Sequence, residues 1–301
     1  MARKEANKRK YIRNWSEYNE RLVRRGEFYI NLDFIENWDE EVKKQNLGKK
    51  GRPYVYPETF IQFSAIIYEI FHLPYRQMEG FYRKISKYIS GLKAADYTTL
   101  FRRIRKVNID FSQEIRENVI IAVDSTGIKV TNRGEWLREK WKVHRGWIKA
   151  HIAVDVETKE ILGIAITDER VSDSSRFKSL IEQAANKAKI RRILADGAYD
   201  TRENFNIMYE KGIESGIKIR KNASTLSRGS SYRKKCVREI KEIGYEEWKK
   251  KYDYGKRWAV EGVFSSVKRI FGETVKAHSQ SSAINEVMRK FMIYNMLLNI
   301  E

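Results

Sequence analysis

The chain has 301 residues, of which 42% are hydrophobic, and its formal net charge is +20, with 60 Lys and Arg against 40 Asp and Glu. This content suffices for a buried core in one large or two smaller domains. A single cysteine, Cys236, excludes an internal disulfide and a cysteine-based zinc site, and the four histidines lack the paired spacing of zinc ligands.

The excess positive charge lies mainly in residues 1–118 and 219–301, while residues 119–218 are nearly balanced. Basic regions around a balanced centre are typical of proteins that bind a polyanion, and nucleic acid is the leading candidate. The partner that we expect is double-stranded DNA. The basic N-terminus lacks the apolar run of a signal peptide, and the C-terminal stretch FMIYNMLLNI is about half as long as a membrane span. We therefore expect a soluble cytoplasmic protein with no membrane partner.

Helical periodicity dominates the first part of the chain. Residues 1–50 are charged and predicted to be helical in pieces, and LGKKGRP at 47–53 is a break. Helices are then predicted over 57–73, 74–90 and 96–107, the last one capped by Asp96 or Thr98. Its basic side chains are expected to point outward, as in a helix-turn-helix element on DNA; the alternative is an ordinary bundle with a solvated basic face. These side chains are Arg102, Arg103, Arg105 and Lys106.

From residue 119 the pattern changes to that of strands. NVIIAVDST, WIKAHIAVD and EILGIAITDE are predicted as three strands, followed by helix, strand RRILADG, helix and strand SGIKIRKNA. A basic insertion at about 222–250, in which SRGSSYRKK (227–235) is expected to be a mobile loop, precedes one helix over 254–268 and an amphipathic C-terminal helix. This order predicts an α/β ribonuclease H-like domain at 118–301, with a mixed five-stranded sheet flanked by helices. An all-α, helix-turn-helix-like DNA-binding region is expected at 1–117.

Three acids stand out in this arrangement. Asp124 ends the first predicted strand and Asp196 the fourth, and these strands are neighbours in such a fold. Glu261 lies at the margin of the buried face of the 254–268 helix, which packs beside them. Each acid also has a local alternative: the two aspartates can start turns, and Glu261 can pair with Arg257.

Three converging carboxylates repel one another unless a cation lies between them. Magnesium favours hard oxygen ligands, and two such ions can promote in-line displacement at phosphorus. The three acids therefore predict metal-dependent phosphodiester cleavage or exchange.

The chain resembles insertion-sequence transposases of the DDE class, close to insertion-sequence families four and five, over residues 50–300. AVDSTGIKV and LADGAYDTREN resemble the blocks that hold the first two acids, and LPYRQMEGF and DYTTLFRRIRKV resemble the helical region before them. The helix that holds the third acid matches the pattern Y, two residues, R, three residues, E, six residues, K. Its four positions are Tyr254, Arg257, Glu261 and Lys268.

The resemblance implies that Asp124, Asp196 and Glu261 bind two Mg²⁺ ions, for which Mn²⁺ can substitute. It implies contacts to the DNA backbone at the element's end, made by Tyr254, Arg257 and Lys268. The implied reaction is hydrolysis at terminal inverted repeats followed by joining of the freed 3′ hydroxyl to target DNA, with both ends held by a homodimer. Rival functions are a ribonuclease H-like nuclease or resolvase without strand transfer, and a DNA-binding protein with a decayed core.

Other polar residues are kept out of the predicted site. Asp173 and Asp200 are expected to cap helices, and Asp155 and Glu157 belong to a hairpin turn. His144 and His151 are expected to be structural. Three tryptophans with interleaved basic residues, a pattern that favours base stacking or hairpin packing, are Trp136, Trp141 and Trp147.

Overall fold

The computed structural model describes residues 14–107, 115–130, 147–226, 228–277 and 279–300. Within these ranges, five α-helices precede the sheet. They are α1 (Trp15–Phe28), α2 (Trp38–Asn46), α3 (Glu58–Phe71), α4 (Tyr75–Ile85) and α5 (Tyr97–Ile104). The three helices predicted between residues 57 and 107 are confirmed as α3, α4 and α5.

The start of each of these three helices follows from the residue before it. Pro57 and Pro74 precede α3 and α4 in extended conformations, with φ of −65° and −59°. Proline lacks a backbone N–H and its ring fixes φ, so it is tolerated at helix starts. The carboxylate of Asp96 accepts hydrogen bonds from the N–H groups of Thr98 and Thr99, which confirms Asp96 as the cap of α5.

The sheet is mixed, as predicted, and has six strands. They are β1 (Arg116–Val130), β2 (Trp147–Asp155), β3 (Ile161–Asp168), β4 (Ala188–Ala195), β5 (Glu214–Ile217) and β6 (Thr274–Val275). Five of them have the order β3-β2-β1-β4-β5, and β6 pairs with β1. The pairs β1–β2 and β2–β3 are antiparallel, while β1–β4, β4–β5 and β1–β6 are parallel. The sixth strand has only two residues, too few for a periodic signal in the sequence.

The later helices are α6 (Phe177–Ala185), α7 (Arg202–Glu210), α8 (Ser231–Ile243), α9 (Tyr245–Lys251), α10 (Ala259–Phe271) and α11 (Gln280–Leu298). The mobile loop expected at 227–235 is wrong from Ser231 onward, because α8 begins there, and α8 and α9 together make most of residues 231–251 helical. Val237 and Trp248 are buried, and they anchor a segment whose composition is otherwise polar. Burial of a few anchor side chains stabilises helices that propensity alone would leave marginal.

Asp200 does not cap α7, and that prediction is wrong. The hydroxyl of Thr201 accepts the N–H of Asn204 and is the cap. The buried Asp200 carboxylate instead pairs with Arg233 of α8, with Nε to Oδ1 at 2.6 Å and Nη2 to Oδ2 at 3.0 Å. The pair fixes α8 to the turn that precedes α7.

Side chains alternate between the two faces of the sheet, and each face has its own buried cluster. Ala122 and Ile128 of β1 belong to the cluster that includes α10 and α11. Ile121 and Val123 belong to the cluster that includes α6 and α7. Because successive strand residues point to opposite faces, Asp124 shares the face of Ala122 and therefore faces α10.

The N-terminal helices have their own buried cluster and also contact the C-terminal part of the chain. Ile66 of α3 lies in the cluster that includes α10 and α11. The buried Arg289 of α11 donates to Glu69 Oε1 of α3 at 2.8 and 3.1 Å, and to the carbonyl of Ile104 at 3.2 Å. Burial raises the pKa of Glu69, while the charge of Arg289 lowers it. This ion pair connects the helical region to α11; the division at residue 117 stays a prediction.

Helix α11 is amphipathic, as predicted, and carries buried charges. Glu286 accepts a hydrogen bond from the backbone N–H of Lys276 at 3.0 Å, and Lys290 donates to the carbonyl of Thr274 at 2.8 Å. In the parts of the chain that the structure describes, no helix combines the length and apolar character needed to cross a bilayer.

Candidate active site

The two predicted catalytic aspartates lie at the same level of neighbouring parallel strands. Val123 of β1 pairs with Ala195 of β4, and Asp124 and Asp196 are the next residues along their strands. Asp196 directly follows β4, as predicted. Asp124 does not end its strand, because β1 continues to Val130 alongside β2. Both aspartates therefore lie where the pairing of β1 with β4 ends.

Local hydrogen bonds hold both aspartates. Asp124 Oδ1 accepts the N–H of Ser125 at 2.8 Å, and Asp196 Oδ1 accepts the N–H of Ala198 at 2.8 Å. Asp196 thus also has the turn-forming role that the sequence left open. Burial raises the pKa of Asp124, against the lowering effects of the Ser125 N–H and Arg257, and the charge of Asp196 raises it further. A carboxyl with a raised pKa beside a second acid is typical of a functional site.

The third acid, Glu261, is linked to Asp124 through the side chain of Arg257. Glu261 is the third residue of α10, and Arg257 precedes this helix. Arg257 Nη1 lies 2.8 Å from Asp124 Oδ2, and Arg257 Nη2 lies 2.6 Å from Glu261 Oε1. A planar guanidinium presents several N–H donors in fixed directions, so it can bind two carboxylates at once. Two of the three predicted acids are therefore close together, with a positive charge between them.

Residues 254–268 do not form one continuous helix, and that prediction is wrong. Asp253 has left-handed backbone angles (φ 51°), and Tyr254–Trp258 form a 3₁₀ helix before α10 begins. The regular turn of 100° per residue in α10 therefore does not extend back to Tyr254 and Arg257. The 3₁₀ helix packs against β1 and β4, which brings Arg257 to Asp124.

The two other residues of the Y, R, E, K pattern differ in exposure. Tyr254 is buried, with its ring centroid 5.1 Å from that of Trp248 and its hydroxyl donating to the carbonyl of Ala195 at 3.4 Å. Burial raises the pKa of Tyr254 to about 12. Lys268 is half-buried on α10, about two turns beyond Glu261. Tyr254 thus packs beside the end of β4, and the DNA contacts expected of Tyr254, Arg257 and Lys268 stay predictions.

The donor chemistry of the three acids fits a hard divalent cation, since carboxylate oxygens are the ligands that Mg²⁺ and Mn²⁺ prefer. Their arrangement does not yet form a site. Among the described residues, no group of three His, Cys, Asp or Glu side chains lies at the spacing of a metal site. Arg257 binds one oxygen each of Asp124 and Glu261. The three acids could converge on a metal only if this guanidinium moved away.

A second polar cluster lies at the same end of the sheet, on the α6 face. Ser125 Oγ and Lys149 Nζ both donate to Asp173 Oδ1, at 2.7 and 2.9 Å. His151 is fully buried and shares a hydrogen bond with Thr167 Oγ1 at 2.9 Å, and burial lowers its pKa to about 4. This neutral, buried ring fits the structural role expected of His151. The capping role predicted for Asp173 is wrong, because its side chain turns toward β1 and β2.

Sequence reasoning missed this cluster. The available signal was the spacing of Lys149 and His151, which puts both on one face of β2. Nothing local connects them to Asp173, which follows β3.

The four basic side chains in and just after α5 are not equivalent. Arg103 is turned inward, which corrects the expected outward orientation: its side chain is 15% exposed and binds Glu58 and the carbonyl of Tyr56. Arg105 is half-buried and donates to Ser279 Oγ at 3.4 Å. Arg102 and Lys106 are exposed. Only part of the predicted basic surface is therefore presented to solvent.

Several predictions concern residues outside the described ranges. They involve His144, Trp136, Trp141, Arg138, Lys140, Lys142 and Arg145. Trp147 is described and lies in the β1–β2 hairpin, where Lys129 Nζ is 5.5 Å from its ring centroid. A Cβ atom added at Gly127 would lie 2.8 Å from the Trp147 ring. Trp147 therefore has the hairpin-packing role that was one of the two expected.

Comparison with known protein families assigns two overlapping parts of the chain to domains with the same description. Two family models described as "Transposase DDE domain" match residues 116–296 and residues 23–133. An uncharacterized protein of Aquifex aeolicus (strain VF5) is 25% identical over 278 residues, covering 85% of this chain and 82% of that protein.

Solved structures that this chain matches include a piggyBac transposase synaptic complex with hairpin DNA, at 11% identity and a TM-score of 0.40, covering 91% of this chain and 73% of that one. A Drosophila P element transposase strand transfer complex matches at 10% identity and a TM-score of 0.30, covering 93% and 71%. Both TM-scores are below 0.5, so the family assignment rests on the family models.

Proposed function

The chain belongs to the transposase DDE domain family, and we propose on this premise that it binds the terminal inverted repeats of its own element and excises and joins their 3′ ends. In the first step, water attacks the phosphorus at the element's end and the P–O3′ bond breaks, which leaves a free 3′ hydroxyl. In the second step, that hydroxyl attacks a phosphorus of target DNA and displaces another 3′ oxygen. The kinship with insertion-sequence families four and five is part of this proposal.

One observation carries the proposal. Asp124 and Asp196 follow paired residues of adjacent parallel strands, and Glu261 is joined to Asp124 through Arg257. Acids that are 65 or more positions apart in the sequence thus lie at one end of the sheet, where α/β folds place their chemistry.

Asp124, Asp196 and Glu261 would hold two Mg²⁺ or Mn²⁺ ions. When bound, such ions activate the attacking oxygen and stabilise the leaving 3′ oxygen. Arg257 has a different task in the proposal: its guanidinium leaves the two carboxylates and donates to a DNA phosphate, a partner that matches its fork of donors equally well. DNA binding would thereby free the acids for the ions.

DNA contacts elsewhere would come from the exposed part of the basic surface. Arg102 of α5 and Lys106, two residues after the end of α5, are exposed and would contact the phosphate backbone, and Lys268 of α10 would add a further contact. Both ends of an element must be processed together, so we expect a homodimer in the complex with DNA. The protein would act in the cytoplasm, associated with DNA.

Substitution of each acid tests the proposal. Asp124→Asn, Asp196→Asn and Glu261→Gln should each abolish Mg²⁺- or Mn²⁺-dependent nicking of DNA that carries the inverted repeats flanking the gene. Binding of the same DNA should stay nearly unchanged, because base and phosphate contacts are made by other residues. Glu203→Gln, on α7, removes the same charge elsewhere and should keep activity. Full activity in any of the three acid variants would refute the assignment.

A second assay separates transposition from simple hydrolysis. Pre-cut ends with free 3′ hydroxyls are incubated with supercoiled target DNA, and covalently joined products are sought on a denaturing gel. A transposase yields joined products, whereas a nuclease or resolvase without transfer yields none.

A further inference from the structure

The polar cluster on the α6 face is connected to the strand that carries Asp124. At its centre is Asp173, the first residue of the 3₁₀ helix Asp173–Arg176. Asp173 Oδ1 accepts a hydrogen bond from Ser125 Oγ at 2.7 Å, and the backbone N–H of Ser125 donates to Asp124 Oδ1 at 2.8 Å. Two hydrogen bonds through one serine therefore link Asp173 to the Asp124 carboxylate.

The same 3₁₀ helix is also connected to the turn that Asp196 begins. The buried amide of Asn204 donates to Ser174 Oγ at 3.4 Å and to the carbonyl of Tyr199 at 3.0 Å. Tyr199 is the last residue of the turn Gly197–Tyr199, which directly follows Asp196. The 3₁₀ helix is thus connected both to Ser125, which follows Asp124, and to the turn that follows Asp196.

The charge of Asp173 is compensated within the cluster. Lys149 Nζ donates to Asp173 Oδ1 at 2.9 Å and to the carbonyl of Val171 at 3.1 Å, and the two side chains are 26% and 27% exposed. A fourth free carboxylate at this end of the sheet would repel the other acids and compete for a cation. Its pairing with Lys149 lets Asp173 hold Ser125 without adding a net negative charge.

Ser174, the neighbour of Asp173 in the 3₁₀ helix, is connected through Asn204 to the turn after Asp196, so the segment that carries Asp173 is fixed relative to both aspartates. We propose that Asp173 is a positioning residue for the Asp124 carboxylate, acting through Ser125. Asp173 would touch neither DNA nor metal; it would hold the Asp124 carboxylate in a fixed position relative to Asp196. This inference rests on the proposed function, because it requires Asp124 and Asp196 to be metal ligands.

Removing the shared hydrogen bond should weaken metal binding. Ser125→Ala deletes the hydroxyl donor without changing charge, and we expect the Mn²⁺ Kd to rise about tenfold, the lower end of the effect of outer hydrogen-bonding partners on metal affinity. Ser125→Thr keeps the donor and should bind Mn²⁺ like its parent. Asp173→Ala deletes the acceptor of the same hydrogen bond. The Mn²⁺ Kd of the double variant Ser125→Ala/Asp173→Ala should equal that of Asp173→Ala alone, because both substitutions remove the bond between Ser125 Oγ and Asp173 Oδ1.

The measurement is a calorimetric Mn²⁺ titration of the full-length chain. Each variant is made both in the wild-type chain and in the Arg257→Gln chain. The Arg257→Gln substitution removes the guanidinium that binds the carboxylates of Asp124 and Glu261. Glu160→Gln is the matched control: Glu160 is a buried carboxylate that pairs with Arg116 at the far end of β1. It should lower thermal stability and leave the Mn²⁺ Kd unchanged.

The possible results distinguish failure of the positioning role from failure of the metal site. A Mn²⁺ Kd that stays within about twofold in Ser125→Ala, or that rises equally in Ser125→Thr or Glu160→Gln, overturns the positioning role. A parent chain that binds no Mn²⁺ in either background refutes the metal site of the proposed function instead, and the inference falls with it. If Asp173→Ala does not fold, the comparison of Ser125→Ala with Ser125→Thr tests the positioning role by itself.

Discussion

Replacing Arg257 should strengthen metal binding while it weakens DNA cleavage. In the DNA-free protein this guanidinium donates to Asp124 at 2.8 Å and to Glu261 at 2.6 Å, so a metal must displace it. The side chains of Arg257 and Asp124 are 21% and 22% exposed, and that of Glu261 is 53% exposed. Partly exposed ion pairs contribute about 0.5–1 kcal/mol each, so the two bonds together oppose metal binding by about 1–2 kcal/mol.

This free energy predicts the size of the effect. At 1.4 kcal/mol per factor of ten, Arg257→Gln should lower the Mn²⁺ Kd of the DNA-free protein about five- to thirtyfold. Nicking by the same variant should fall about ten- to a hundredfold, since a charge-assisted bond to phosphate contributes roughly 1.5–3 kcal/mol. The Kd is measured by calorimetry, and nicking by gel assay at saturating Mn²⁺.

Lys256→Gln is the matched control for this experiment. It removes the same charge one residue away, from a side chain that pairs with Glu157 rather than with the acids of the site. Its Mn²⁺ Kd should stay close to that of the wild type. An Arg257→Gln protein that binds Mn²⁺ no better than the wild type, or a Lys256→Gln protein that gains equally, would show that Arg257 does not compete with the metal.

Other predictions test the fold and the DNA surface. The pKa of His151 is about 4 in the folded chain, below its usual 6.5, so the unfolded state binds the proton more tightly and stability is lost as pH falls through this window. Urea unfolding should show a loss on the order of 2 kcal/mol between pH 7 and pH 5 in the wild type, and His151→Gln should lose most of that difference. Arg289→Gln leaves Glu69 buried without its partner and should lower the free energy of unfolding by about 3–5 kcal/mol; a change below about 1 kcal/mol would contradict a buried ion pair. Replacing Arg102 and Lys106 together with Gln should reduce the salt dependence of DNA affinity by about two units of log–log slope, whereas unchanged salt dependence would place DNA elsewhere.

Much of the fold could be predicted because the spacing of apolar residues along the chain indicates where helices and strands lie. The change from a helical to a strand pattern near residue 119 marks the start of the sheet, and the order of strands and helices after it predicts the mixed topology that the structure confirms. Asp124 and Asp196 could be chosen because each follows a buried apolar run, and their adjacency follows once the strand order is known.

Several features of the site could not be predicted in this way. The turn before α10 depends on Asp253 adopting left-handed backbone angles, which residue type alone does not require. Arg103 looked like an outward basic residue, yet its guanidinium binds Glu58, 45 positions earlier. The polar composition of residues 231–251 concealed helices that depend on buried anchors such as Trp248.

The sequence by itself therefore determined most of the elements, their order and the choice of three candidate acids, because strand alternation, helix periodicity and residue chemistry are local properties. Only the tertiary structure decided what those acids contact. The bond from Arg257 to Asp124 spans 133 positions and the bond from Asp173 to Ser125 spans 48. Such contacts depend on how strands and helices pack in space, and no periodic pattern along the chain encodes them.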